Sequence, residues 1–162
     1  MTWQPLLVDA SRDRAWEGVQ AIVNHLAPLV RAPGDDPSLA SGTTGQAVLH
    51  AYAGRNAYQT QDQAAVAIRC LEHAVAAMTH KPAPASLYDG LTGMGWAISH
   101  LDSLLPGLDG ADDLAEIDEL LLDHLDRSPW PGPYNLCDGL VGFGVYALER
   151  LPRPAAVACL RG

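Results

Sequence analysis

Apolar residues are distributed along the chain in two patterns, and their alternation is its first organising feature. Trp16, Val19, Val23, Leu26 and Val30, then Ile68, Leu71, Val75 and Met78, then Leu114, Ile117, Leu121 and Leu125 are spaced by three and four, the period of a helix with one buried face. The runs Gly90 to Leu105 and Gly139 to Leu151 are denser. Trp96, Ile98, Leu101 and Leu104 in one, and Phe143, Val145, Tyr146 and Leu148 in the other, leave few polar faces, so these helices should be buried on more than one side. No strand pattern competes. Connectors rich in Pro and Gly (APGDDP, KPAPA, SPWPGP) separate the two kinds of segment, and the chain reads as all-α.

Aligning the chain on itself turns this alternation into a repeat. SLASGTTGQAVLHAY from Ser38, SLYDGLTGMGWAISHL from Ser86 and NLCDGLVGFGVYALERL from Asn135 superpose Gly42, Gly90 and Gly139, and also Gly45, Gly93 and Gly142, with Leu39, Leu87 and Leu136 at one offset before them. Each repeat is then an outer amphipathic helix, a connector, a G-x-x-G key and an inner helix of about 14 residues, or about 21 Å. The hairpins span about 12–54, 57–105 and 111–151, and 153–162 (RPAAVACL within it) reads as the opening of a fourth outer helix. Glycine at the keys has two packing explanations: close approach of backbones, or a positive φ before the helix starts. Anion binding at a helix start is the functional alternative, which repetition in three copies disfavours. The keys are not phosphate loops, since no G-K-[ST] follows them.

Charge narrows the partners. With 10 Lys plus Arg against 19 Asp plus Glu, the formal charge is −9, which disfavours nucleic acid and anionic membrane surfaces. Three widely spaced cysteines, Cys70, Cys137 and Cys159, read as reduced thiols of a cytoplasmic protein. The N-terminus has no leader pattern and no window approaches a membrane span.

At SLYDGLTGMGWAISHL and PYNLCDGLVGFGVYALERLPRP the sequence closely resembles the lanthionine synthetase C-like family. That resemblance implies an α/α toroid of seven hairpins, of which this chain holds the first three, and the chemistry of a peptide cyclase. In the family a zinc ion held by two cysteines and a histidine activates a peptide cysteine, which adds to a dehydrated serine or threonine to form a thioether. Zinc lowers the thiol pKa while keeping one position open for substrate sulfur. The family's ligands lie in later hairpins and include a Cys-His pair, a dipeptide this sequence lacks. The expectation is a truncated or split chain that is inactive alone, holds no metal and meets a peptide substrate, a complementary C-terminal half or another copy of itself. A non-catalytic helical-repeat module that binds a peptide or partner protein is the alternative.

The resemblance also places Asn135, beside Tyr134, where the family's third key carries a proton-handling aspartate. An amide cannot take a proton there, and Asp138 would compensate only by reaching the cavity. Asp89 and Asp138 precede the first glycine of their keys, as Ser41 does, and are expected to cap the inner helices. As a carboxylate pair they are weak candidates for sugar or terpenoid chemistry on the same architecture. Cys70 and His73 share a helix face, Cys137 lies within the third key, and His50 and His100 occupy the inner helices. The expectation is a solvated His73 beside a packed Cys70, a small buried or lumen-facing thiol without a ligand role at Cys137, and helix-end or packed positions for His50 and His100.

Overall fold

The computed structural model describes residues 4, 6–28, 36–55, 62–80, 83–108 and 114–161. Among these, all regular structure is helical: α1 Asp9–Leu26, α2 Thr43–Gly54, α3 Gln63–His80, α4 Leu91–Asp102, α5 Ala115–Leu125, α6 Leu140–Glu149 and α7 Pro154–Cys159. Val30, the hairpin boundaries near 57 and 111, and the start of the acidic segment before α5 lie outside the described residues. None of these helices is long and apolar enough to cross a membrane.

Helices α1 and α3, of 18 residues each, and α5, of 11, alternate with α2, α4 and α6, of 12, 12 and 10 residues. Helices α2, α4 and α6 form a continuous inner layer in which α2 packs on α4 and α4 on α6. The most extensive helix contact joins α2 to α3. Small buried side chains, Ala47 and Ala51 on α2 with Ala67, Cys70 and Ala74 on α3, let these two backbones approach closely. At the end of the chain α7, opened by Pro154 at its first turn, packs on α5 and α6.

Burial follows the apolar pattern with two departures. Leu71 and Met78 of α3 and Leu114, Ile117 and Leu121 at α5 are buried, whereas Val75 is 39% exposed. It borders a cleft of about 380 Å³ between α3 and α5, floored by Leu91, Met94 and Ile98 of α4. On α6, Phe143 and Tyr146 are buried, but Leu148 is 58% and Val141 53% exposed. The face of α6 carrying these two residues is left uncovered by the described helices, so this inner helix is not apolar because it is surrounded.

A polar network is sealed between α4, α5 and α6. Arg150 donates from Nε and Nη2 to the two carboxylate oxygens of Asp118, at 2.8 and 2.7 Å, and from Nη1 to Ser99 Oγ at 3.2 Å. The Tyr146 hydroxyl donates to Asp118 as well, at 2.7 Å. All but Ser99 are buried. Burial, aided by Asp118, pushes the Tyr146 phenol above its ordinary range.

Candidate functional site

The three keys share one backbone geometry. Gly42, Gly90 and Gly139 are the N-cap residues of α2, α4 and α6, with φ of −106°, −135° and −127°, extended backbone that any residue can adopt. Space, and not positive φ, is what glycine supplies. A Cβ on these three would collide with the backbone carbonyl oxygens of Asp36, Pro84 and Pro133, and a Cβ on Gly45, Gly93 or Gly142 with those of Leu39, Leu87 and Leu136. The connector thus folds back over the helix start. The first-turn N–H groups of Thr43, Leu91 and Leu140 donate to the carbonyls of Asp36, Pro84 and Pro133 at 3.0, 2.9 and 3.2 Å, satisfying donors that a helix start leaves open.

This wiring corrects the capping role expected of Asp89 and Asp138. Neither forms a cap: the cap position is the glycine, which has no side chain, and a loop carbonyl already takes the leading N–H. Side chains assist from unexpected places. The hydroxyls of Thr44 and Thr92 donate to the carbonyls of Pro37 and Ala85, both at 2.6 Å, while the third key has Val141 there. In the first key Asp36 accepts the Ser38 N–H at 2.9 Å and the Ser41 hydroxyl at 2.8 Å. The Ser38 backbone bond is the chief reason its carboxyl is held below the usual range.

Adjacent keys are bonded to one another in register. The N–H groups of Leu39 and Ala40 both donate to the Tyr88 carbonyl, at 2.9 and 3.1 Å, and those of Leu87 and Tyr88 both donate to the Cys137 carbonyl, at 3.0 and 3.1 Å. Asn135 organises the third key: its side-chain oxygen accepts the N–H groups of Cys137 and Asp138, at 2.8 and 3.0 Å. Ser38 makes the second of these bonds in the first key, accepting the Ser41 N–H at 3.2 Å. Tyr134, Asn135, Cys137 and Asp138 are all exposed, so the structure gathers the candidates of the third key on one open turn.

The remaining candidates are scattered. Cys70 is fully buried on α3 and burial pushes its thiol up to about 11. His73, on the same helix, is half-buried, with no hydrogen-bond partner for Nδ1 among the described residues. His100 lies near the C-terminal end of α4, beside Tyr52 and Glu149. His50 is fully buried, and its Nδ1 lies 2.6 Å from the Gln63 side-chain oxygen, so Nδ1 carries the hydrogen. Burial lowers its pKa from 6.5, outweighing Gln63, while Arg69 lowers it further. The unfolded chain therefore binds a proton more readily than the folded one. Stability should be complete above about pH 6.5 and fall as pH drops through the window below it. A denaturant-stability series against pH should show this slope, flattened in His50→Gln.

The sequence model of the lanthionine synthetase C-like proteins matches residues 33–153, a span containing all three keys. The chain belongs to the lanthionine synthetase C-like family. No curated protein matches it. The zinc centre associated with this family can be tested against the donors present. Burial raises the pKa of the Cys70 and Cys159 thiols, the reverse of what a thiolate ligand needs. Cys137 is exposed, and among the described residues no three His, Cys, Asp or Glu side chains are grouped to hold a metal. These residues do not fit a zinc site.

Proposed function

We propose that this lanthionine synthetase C-like chain is a scaffold part of an α/α toroid whose chemistry is thioether cyclisation of dehydrated peptides. In this reading it contributes three of seven hairpins and no metal ligand, and does not cyclise peptides alone. The observation that supports the reading most is the register of the keys. The second key offers a carbonyl to two N–H donors of the first and gives two N–H donors to a carbonyl of the third, a pattern that can repeat in further hairpins. The third key, with Asn135 spent on holding its turn, orders substrate-facing backbone without transferring a proton.

The test uses a peptide carrying one cysteine and one dehydroalanine, incubated with the purified chain and equimolar zinc. The peptide thiol should remain fully alkylatable, and dialysis should strip the zinc from the chain. Loss of the thiol together with one retained zinc per chain would overturn the scaffold reading.

The uncovered apolar surface on the last repeat favours a second reading, a module that binds a partner protein. Tyr134, Leu136, Val141, Leu148 and Leu151 are 39–67% exposed along the third key, α6 and the turn after it, and exposed apolar patches of this kind mark interaction sites. Light scattering coupled to size exclusion distinguishes the readings of this face: a monomer at all concentrations rules out self-association.

A further inference from the structure

A second set of repeat-equivalent residues lies at the other end of the inner layer. Tyr52, His100 and Glu149 each stand ten residues after the first glycine of their key, about 15 Å along the helix from it. Side-by-side packing of α2, α4 and α6 brings them into a line. The Tyr52 hydroxyl is 2.7 Å from His100 Nε2, and His100 Nδ1 is 3.1 Å from Glu149 Oε1. An ionised carboxylate can only accept, so Nδ1 carries a hydrogen and Nε2 of the neutral ring is free to accept the phenol proton. Trp96, one turn earlier on α4, stacks on the imidazole with centroids 4.6 Å apart and planes 12° from parallel, which fixes the tilt of the ring.

We propose that Tyr52 is a nucleophilic site for activated acyl esters, with His100 as its base and Glu149 orienting the imidazole. A hydroxyl within hydrogen-bond reach of an imidazole, itself held by a carboxylate, is the arrangement that activates nucleophiles generally. Tyr52 is 46% exposed, so an ester carbonyl can reach its oxygen. In the reaction the phenol proton passes to His100 Nε2, the phenol oxygen bonds to the carbonyl carbon, and the ester C–O bond breaks. His100 then returns the proton to the departing oxygen, leaving O-acyl tyrosine. None of these residues belongs to the keys, so the site stands independently of the scaffold reading above.

Tyr134 is an internal standard: it is more exposed, at 67%, yet has no hydrogen-bonded imidazole among the described residues. The full chain is treated with p-nitrophenyl acetate near neutral pH and acetylation is followed residue by residue by peptide mass spectrometry. Tyr52 should acetylate at least about tenfold faster than Tyr134, a modest part of what a positioned base supplies. His100→Gln and Glu149→Gln should each slow Tyr52 and leave Tyr134 unchanged, the constant Tyr134 rate reporting an intact fold. Equal or slower labelling of Tyr52 in the unsubstituted chain overturns the proposal without any variant, as does a Tyr52 rate indifferent to His100→Gln.

Discussion

Replacing Asp118 by alanine should lower the unfolding free energy by about 3–5 kcal/mol, the cost of leaving a buried charge without its partner. Arg150 is 3% and Asp118 6% exposed, and the two meet through paired bonds of 2.7 and 2.8 Å. Removing the carboxylate takes the charged partner from the guanidinium, which keeps its bond to Ser99, and the acceptor from the Tyr146 hydroxyl, both in the core. The loss is a penalty of removing one partner, so the pair's net worth is measured differently. The double variant Asp118→Leu with Arg150→Met, which removes both charges, should recover most of the deficit, because a buried ion pair often contributes little beyond an apolar replacement. Urea titrations of the three proteins decide the matter. A double variant as unstable as Asp118→Ala would mean that the pair itself, and not the stranded charge, holds α5 to α6.

That network was invisible in the sequence, and the reason is separation. Asp118 and Arg150 are 32 residues apart, and nothing local distinguishes Asp118 from the other acids of ADDLAEIDELLLD. Features with a short-range or periodic signature were legible: the three-and-four spacing marked the outer helices, and the two glycines at constant offset marked the inner helix starts. Thr44 and Thr92, at matching places after those glycines, carried the same kind of signal. The error on Asp89 and Asp138 has a physical origin too. Capping preferences weigh the residue beside a helix start, whereas here the donors are met by a carbonyl seven residues upstream, which arrives only when the connector folds back. The apolar density of α6 foretold burial, yet a sequence cannot say which neighbour covers which face, and Leu148 lies in the open. Tyr52, His100 and Glu149 share a repeat position but no chemical type, so an alignment scored on similarity passes over them.

Gly93→Ala should destabilise the chain by about 3 kcal/mol or more, the upper range for forcing atoms into a packed site. The added methyl would meet the Leu87 carbonyl oxygen and then the Leu39 side chain. A flexible side chain could turn away, but this carbonyl has little freedom. The N–H of Leu87 is bonded to Cys137, and the carbonyl of its neighbour Tyr88 receives Leu39 and Ala40. Relieving the clash therefore loosens the contacts of the second key with both the first and the third, so the damage should exceed a local cavity or clash. Gly144→Ala is the matched control, since it also places a methyl on an inner helix but meets nothing within 4 Å. There the gain from a less flexible unfolded chain should dominate, raising stability by about 0.5–1 kcal/mol. Opposite signs for two chemically identical substitutions, measured by thermal or urea melts, would establish that close backbone approach is why the keys are glycine. If both variants shift together, general helix propensity governs the inner layer, and the contact between connector and helix start carries little of the fold's stability.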